Sequence, residues 1–186
     1  MPWQNLGQIP PYTFVCGYCG HGVASKEGYA KPSDGLPLFT VHICPFCNRP
    51  TSHTDKGQSP GPIFGSSVNK IPENINSLYE EARRCCSVSA FTAAVLICRK
   101  LLMNIAVQEG AKAGEPFMSY VIYLSDNHFI PSKASGWVDY IRKKGNEATH
   151  EIIPASQEDA QNLILFSEML LKNIYEFPAR INKAPQ

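Results

Sequence analysis

Two Cys-x-x-Cys pairs, Cys16-Gly17-Tyr18-Cys19 and Cys44-Pro45-Phe46-Cys47, constrain this chain more than any other feature of its sequence. Residues Gly20 to Ile43 separate them. A tight knuckle around each pair points both sulfurs at one ion, and four thiolates suit a tetrahedral Zn²⁺ at roughly 2.3 Å per bond. A module this small has little core of its own, so a metal would supply much of its folding free energy. The expectation is a structural Zn²⁺ held by Cys16, Cys19, Cys44 and Cys47. A redox dithiol would need one such pair in a βαβ setting, which is absent. A catalytic zinc keeps an open position, which four cysteines close. His21, His42 and His53 could substitute as ligands, but each reads first as a turn or surface residue.

The module is expected to span residues 1–52. Short strand-like runs near Val23 to Tyr29 and Leu36 to Ile43 flank the turn signal Pro32-Ser33-Asp34-Gly35. Residues 53–67, within TSHTDKGQSPGPIFGSS, are rich in Gly, Ser, Pro and Thr and read as a linker. Tyr12, Phe14, Tyr18, Tyr29 and Phe46 read as the small core of the module or as a face packed on its neighbour; stacking platforms for bases are the alternative.

From residue 68 to 186 the pattern is helical. Ile75, Leu78, Tyr79, Ala82 and Cys85 or Cys86 recur at i, i+3, i+4, i+7, the spacing of one buried face. A second helix, about Ala90 to Gln108, is apolar almost all round and therefore central. Phe117 to Leu124 is a helix or a buried strand. A further helix runs from Trp137 to about Thr149, and the last starts after Ser156, with Asp159 three residues on to close a capping box, and stops before Pro178. The predicted architecture is mainly α: four or five bundled helices behind a small β-rich metal module. Cys85, Cys86 and Cys98 lack a second ligand pair and read as small buried hydrophobes.

Charge excludes one class of function. There are four cations and three acids before Gly61 and thirteen of each after it, so no bulk basic field draws in nucleic acid. Any anion site must be local. The start MPWQNLGQIPPYTF lacks the basic and apolar regions of a signal peptide, and Arg99 and Lys100 stop the most apolar run, Ala93 to Cys98, well short of the roughly 20 residues of a span. Seven cysteines, four of them in Cys-x-x-Cys pairs, fit metal binding in a reducing compartment better than a disulfide framework. A cytoplasmic protein without a membrane partner is expected.

The local anion site is sought in Ile141 to His150, IRKKGNEATH. On a helix, Arg142, Asn146 and His150 fall four apart on one polar stripe, a guanidinium, an amide and an imidazole able to hold a phosphodiester and move a proton beside it. The plainer reading is a basic helix end closed by Gly145. Glu147 and Glu151 flank His150 and could orient its ring. Arg99 either snorkels at its helix edge or adds a second phosphate contact.

Taken together, IPENINSLYEEARRCC, AAVLICRK, WVDYIRKKGNEATH and EDAQNLILFSEMLLKNIYEFP resemble the bacterial domain-of-unknown-function family 4145, grouped with the HEPN-like helical domains. The resemblance runs from Val68 to Pro178, and a leading zinc ribbon is common in such proteins. It implies a HEPN-like bundle that forms a homodimer, a protein partner in an anti-phage or toxin system, and RNA as target. Many HEPN-like proteins are metal-independent endoribonucleases with an arginine, a polar residue, then a histidine after four to six positions. Carried over, the histidine is His150, the polar residue Asn146 and the arginine Arg142. Seven residues separate Arg142 from His150, one more than the pattern; Lys144 has five but lacks the bidentate fork. In that reading His150 moves the proton of a ribose 2′-hydroxyl, Arg142 stabilises the phosphorane, Asn146 holds phosphate or ribose, and Lys144 and Arg99 bind substrate. The competing expectation is a non-catalytic module that binds nucleic acid or protein.

Overall fold

The computed structural model describes residues 3–31, 39–131, 133, 136–141 and 154–181. The chain forms two compact units, Met1–Ile63 and Phe64–Gln186.

The first unit is an antiparallel meander of β1 (Gly7–Val15), β2 (Gly22–Lys31), β3 (Phe39–Ile43), β4 (Pro50–Thr54) and β5 (Gly57–Ser59), paired in sequence order. The β1–β2 register slips between Gln8 and Tyr12, where Pro10 and Pro11 bring no N–H to the ladder. Gly28 sits where β2 meets both neighbours, opposite Gly7 and His42; a Cβ there would come within 1.8 Å of the Val41 carbonyl oxygen, so only glycine fits. The sheet rolls over on itself. His42 Nε2 lies 3.1 Å from Pro10 O, the Tyr12 and His53 rings are 4.5 Å apart across β1 and β4, and Gln58 donates to Val15 O at 2.7 Å.

The stretch read as a linker is structured. It holds the end of β4 and all of β5, turned by Thr54, whose hydroxyl accepts from Lys56 N and donates to Gly57 O. The boundary between the two units falls within it, after Ile63.

The second unit packs α1 (Glu73–Ser87), α2 (Phe91–Gln108), α3 (Phe117–Asp126), α4 (helical over 136–141) and α5 (Gln157–Leu171), followed by a π-helical turn, Lys172–Glu176, and a short α6 (Phe177–Ile181). In α1, Ile75, Tyr79, Ala82 and Cys86 are buried on the face expected, joined by Arg83. The central helix is α2, with Ala94, Val95, Cys98, Leu101, Leu102, Ile105 and Ala106 buried against its neighbours. It is also long and apolar enough, by length and composition, to cross a membrane, although the apolar run read from its sequence is much shorter. The Phe117 segment is a helix, entered at Pro116, whose missing N–H costs nothing at a helix start. The Ser156 capping box forms on both sides, with Asp159 N donating to Ser156 Oγ at 3.1 Å and Ser156 N to Asp159 Oδ2 at 3.0 Å.

The last helix does not stop at Pro178. The chain continues through the π turn, and Pro178 sits in the first turn of α6, where a helix tolerates proline. Eight residues of regular α-helix overshoot two turns by roughly 80°. The wider π turn absorbs that excess and brings Glu168 and Glu176 to the same side. There they hold the segment that enters the unit: Glu168 accepts from Ser66 N at 2.7 Å and Glu176 from Asn69 N at 2.8 Å. Tyr79 donates to Ser66 O, and the buried Arg83 donates to Phe64 O and Gly65 O and pairs with Glu80 at 2.6 Å. Lys172 and Arg180 pair with Glu168 and Glu176.

Burial pushes the Glu168 carboxyl up, but Lys172 and the Ser66 N–H outweigh it and leave it below the ordinary value; the Asn69 N–H and Arg180 do the same for Glu176. Carboxyls lowered on folding stabilise above their ordinary pKa of 4.5, and that contribution disappears as pH falls through the lowered value. Thermal melts of the full chain should therefore lose stability below about pH 4.5, and the loss should be smaller in Glu168→Gln. Glu168→Ala strands the Ser66 N–H and should cost about 2 kcal/mol in urea titrations; an unchanged midpoint would show the clamp to be idle.

A candidate tetracysteine metal centre

Each Cys-x-x-Cys pair closes the same turn. At Cys16, Gly20 N donates to Cys16 O at 2.9 Å and Cys16 N to His21 O at 3.0 Å. At Cys44, Asn48 N donates to Cys44 O at 2.8 Å and Cys44 N to Arg49 O at 3.0 Å. The residue after the second cysteine is left-handed in both, Gly20 at φ 74° and Asn48 at φ 58°, the two residue types that accept this conformation at least cost.

The turns bring the four sulfurs within 4.8 Å of one another, with Cys16–Cys47 at 3.6 Å and Cys19–Cys44 at 3.8 Å. An ion at the centre of a tetrahedron with such edges lies about 2.3 Å from each sulfur, the Zn–S bond length. The donor set fits a soft or borderline divalent metal. The site fills the interior of its unit: Cys16 and Cys44 are fully buried, and they cluster with Phe14, Cys19, Cys47 and Val23. Burial raises the Cys16 thiol, but hydrogen bonds from the backbone of Tyr18 and Cys19 bring it down to about 7. Burial and the neighbouring sulfurs push Cys47 up to about 12 and Cys19 upward. Four thiolates this close require a cation among them.

None of His21, His42 and His53 joins the cluster, yet two of them are not surface residues. His42 and His53 are buried, where Tyr12 and Phe14 from β1 pack over them. Burial and the facing His42 hold His53 down to about 4, so it is neutral at physiological pH. His21 is at a turn, as expected, with Nδ1 3.1 Å from Cys19 O.

The aromatic residues also differ from expectation. Of the five read as a small core or a packed face, only Phe14 is buried; Tyr12, Tyr18, Tyr29 and Phe46 are exposed, Phe46 to 66%. At the metal end they pair across the two knuckles. His21 of the first stacks on Phe46 of the second at 3.6 Å, and Arg49 of the second lies over Tyr18 of the first at 5.1 Å. Trp3 adds a third exposed ring, anchored by its indole N–H on Asn48 O at 3.0 Å. Sequence reasoning missed His21, Arg49 and Trp3 in this role. The signal was the repeated form of the knuckles, Cys-Gly-Tyr-Cys-Gly-His against Cys-Pro-Phe-Cys-Asn-Arg, with an aromatic third and a basic side chain sixth.

In the second unit, Arg99 lies over the Phe117 ring at 4.3 Å, and burial lowers its pKa. Arg142, Lys144, Asn146 and His150, with Glu147 and Glu151, fall outside the described residues. Cys86 and Cys98 are buried as read, Cys85 is partly so, and burial pushes the Cys98 thiol up to about 12, an inert value.

Fold and site thus define a tetracysteine metal-binding unit followed by a helical domain. The model of the domain-of-unknown-function family DUF4145 matches residues 80–185, and the chain belongs to that family. No curated protein and no solved structure matches it.

Metal analysis should find one tightly held ion per chain, lost in Cys16→Ala. Stripping it with a strong chelator should unfold the first unit while helical circular dichroism persists, because the sulfurs are most of its interior. Retention of the strand signal without metal would show that the sheet stands alone.

Proposed function

We propose that this protein is an RNA-directed, zinc-ribbon HEPN-like protein that grips single-stranded RNA on its metal-organised unit. The supporting observation is the crossed pairing of exposed rings with His21 and Arg49 over the two knuckles. Bases stack on such rings for about 1–3 kcal/mol each, and an arginine beside a ring supplies both a stacking plane and a phosphate contact. The near-neutral charge of the chain means that stacking, not bulk electrostatics, carries affinity. Zn²⁺ is the ion that fits the sulfur geometry. Homodimerisation and a partner in a defence system extend the same reading through the HEPN-like resemblance.

Fluorescence anisotropy with labelled single-stranded RNA tests the grip. Phe46→Ala and Tyr18→Ala should each weaken binding about tenfold. Affinity should fall only gently with salt, at a log–log slope near −0.7 per phosphate contact. RNA that ignores both substitutions would remove the interface.

A second reading, metal-independent RNA cleavage, rests on Arg142, Asn146 and His150, which lie inside the span matched to the family. Brief incubation with RNA in EDTA tests it. Cleavage to a 2′,3′-cyclic phosphate by the wild type and not by His150→Ala would carry this reading; equal cleavage by both would end it.

A further inference from the structure

The buried face that β3 and β4 share is polar. Thr40 and His42 alternate along β3, Thr51 and His53 along β4, and the register sets His42 opposite Thr51 and Thr40 opposite His53. All four side chains are buried, where the inner face of a sheet ordinarily presents apolar ones. Three of them each leave an atom without a hydrogen-bond partner among the described residues: His42 Nδ1, Thr51 Oγ1 and His53 Nε2. A buried polar atom left unmatched opposes folding, so three on one face call for an occupant that matches them.

The two rings are set for an ion. His42 Nε2 lies 3.1 Å from Pro10 O, a carbonyl that can only accept, so in the neutral ring Nε2 carries the proton and Nδ1 the lone pair. Metal-ligating histidines are oriented in this way, by the second nitrogen on a backbone carbonyl or a carboxylate. The centres of the His42 and His53 rings stand 5.1 Å apart, with the ring planes at 73°. An ion roughly 2.0–2.1 Å from one nitrogen of each ring lies about 3.2 Å from each centre, and a tetrahedral angle then separates the centres by about 5.2 Å. Tyr12 and Phe14 pack on both rings and hold them in place. We infer that His42 Nδ1 and His53 Nε2 are the nitrogen ligands of a second cation site, one for Zn²⁺, with Thr51 Oγ1 beside them as an oxygen donor. The site is distinct from the tetracysteine centre and does not rest on the RNA reading. None of its donors is anionic, so it holds its ion far more loosely than four thiolates do and fills only when zinc is supplied. An ion there ties β3 to β4 and, through Pro10, ties both to β1.

The test takes the full chain with its tightly held ion in place, clears excess metal by gel filtration, and titrates zinc chloride. Long-range ¹⁵N correlation spectra follow the ring nitrogens of all five histidines. One further equivalent should bind, shifting His42 Nδ1 and His53 Nε2 and sparing the rings of His21, His128 and His150. His53→Phe keeps an aromatic ring against Tyr12 and Phe14. It should weaken this equivalent by more than roughly a hundredfold, beyond what losing an outer partner of a ligand costs, while the first ion stays bound. Thr51→Val, close to isosteric, should weaken it by a smaller factor, and it serves as the variant to read if His53→Phe fails to fold. The inference is overturned if millimolar zinc moves neither His42 nor His53, which would leave the three unmatched atoms to ordered water. Shifts confined to the other histidines, or undiminished binding by His53→Phe, would overturn it equally.

Discussion

Sulfur crowding governs the first unit. Four thiols drawn within 4.8 Å of one another repel when ionised, and a dication between them would turn that repulsion into an attraction that closes the fold. The sheet follows from this closure. Three of its strands have five residues or fewer, one register slips at a proline pair, and its interior holds little besides the cluster, Phe14, Ile43 and the buried histidines. The aromatic side chains follow too. Because the sulfur cluster takes the place of an apolar core, Tyr18 and Phe46 are not needed inside, and the knuckles that bring sulfur inward turn their rings outward.

The second unit solves the same problem of closure with carbon and carboxylate. Its interior is a conventional one, centred on α2, but the chain enters across it as an extended segment whose backbone groups need partners. Tyr79 and Arg83 on α1, Glu168 on α5 and Glu176 on the π turn provide them. Each of these side chains is polar and yet buried or nearly so, a position tolerable only because each is matched. The arrangement makes the final helix and the entering segment mutually dependent, although more than a hundred residues separate Ser66 from Glu168.

The difference between what was legible and what was not follows the range of the interactions. Cysteine spacing, the capping box at Ser156 and the apolar periodicity of α1 and α2 act within a turn or two of chain, so residue order is enough to read them. The hairpin at Thr54 and the entering segment share the composition of a linker; Thr54 turns the hairpin and Gln58 ties it back to Val15, while the entering segment is ordered by side chains far along the sequence. Pro178 misled because its tolerance depends on helix position, and the π turn resets that position. His42 and His53 were placed on the surface because the rolling of β1 over β4 is invisible in any single strand. The clustering of the four cysteines was legible and the crossed ring pairs were not, although comparing the two knuckles with each other would have aligned Tyr18 with Phe46 and His21 with Arg49.

The π turn makes the length of the last helix a tuned quantity. Its single extra residue works like a shim: the same residues wound as regular α-helix would swing Glu176 by roughly 80° about the axis. Removing one of residues 172–175 and relaxing the turn to α geometry would leave Glu176 within roughly 20° of its present facing. Inserting one residue with the π turn kept would instead turn Glu176 by about 100°; the helix would survive, yet Asn69 would lose its acceptor and the chain's entry would come unfastened. A gain of one residue in length is here a change of grip, so insertions should be scarcer in this stretch than its half-exposed side chains suggest, while a single deletion that straightens the π turn should be tolerated.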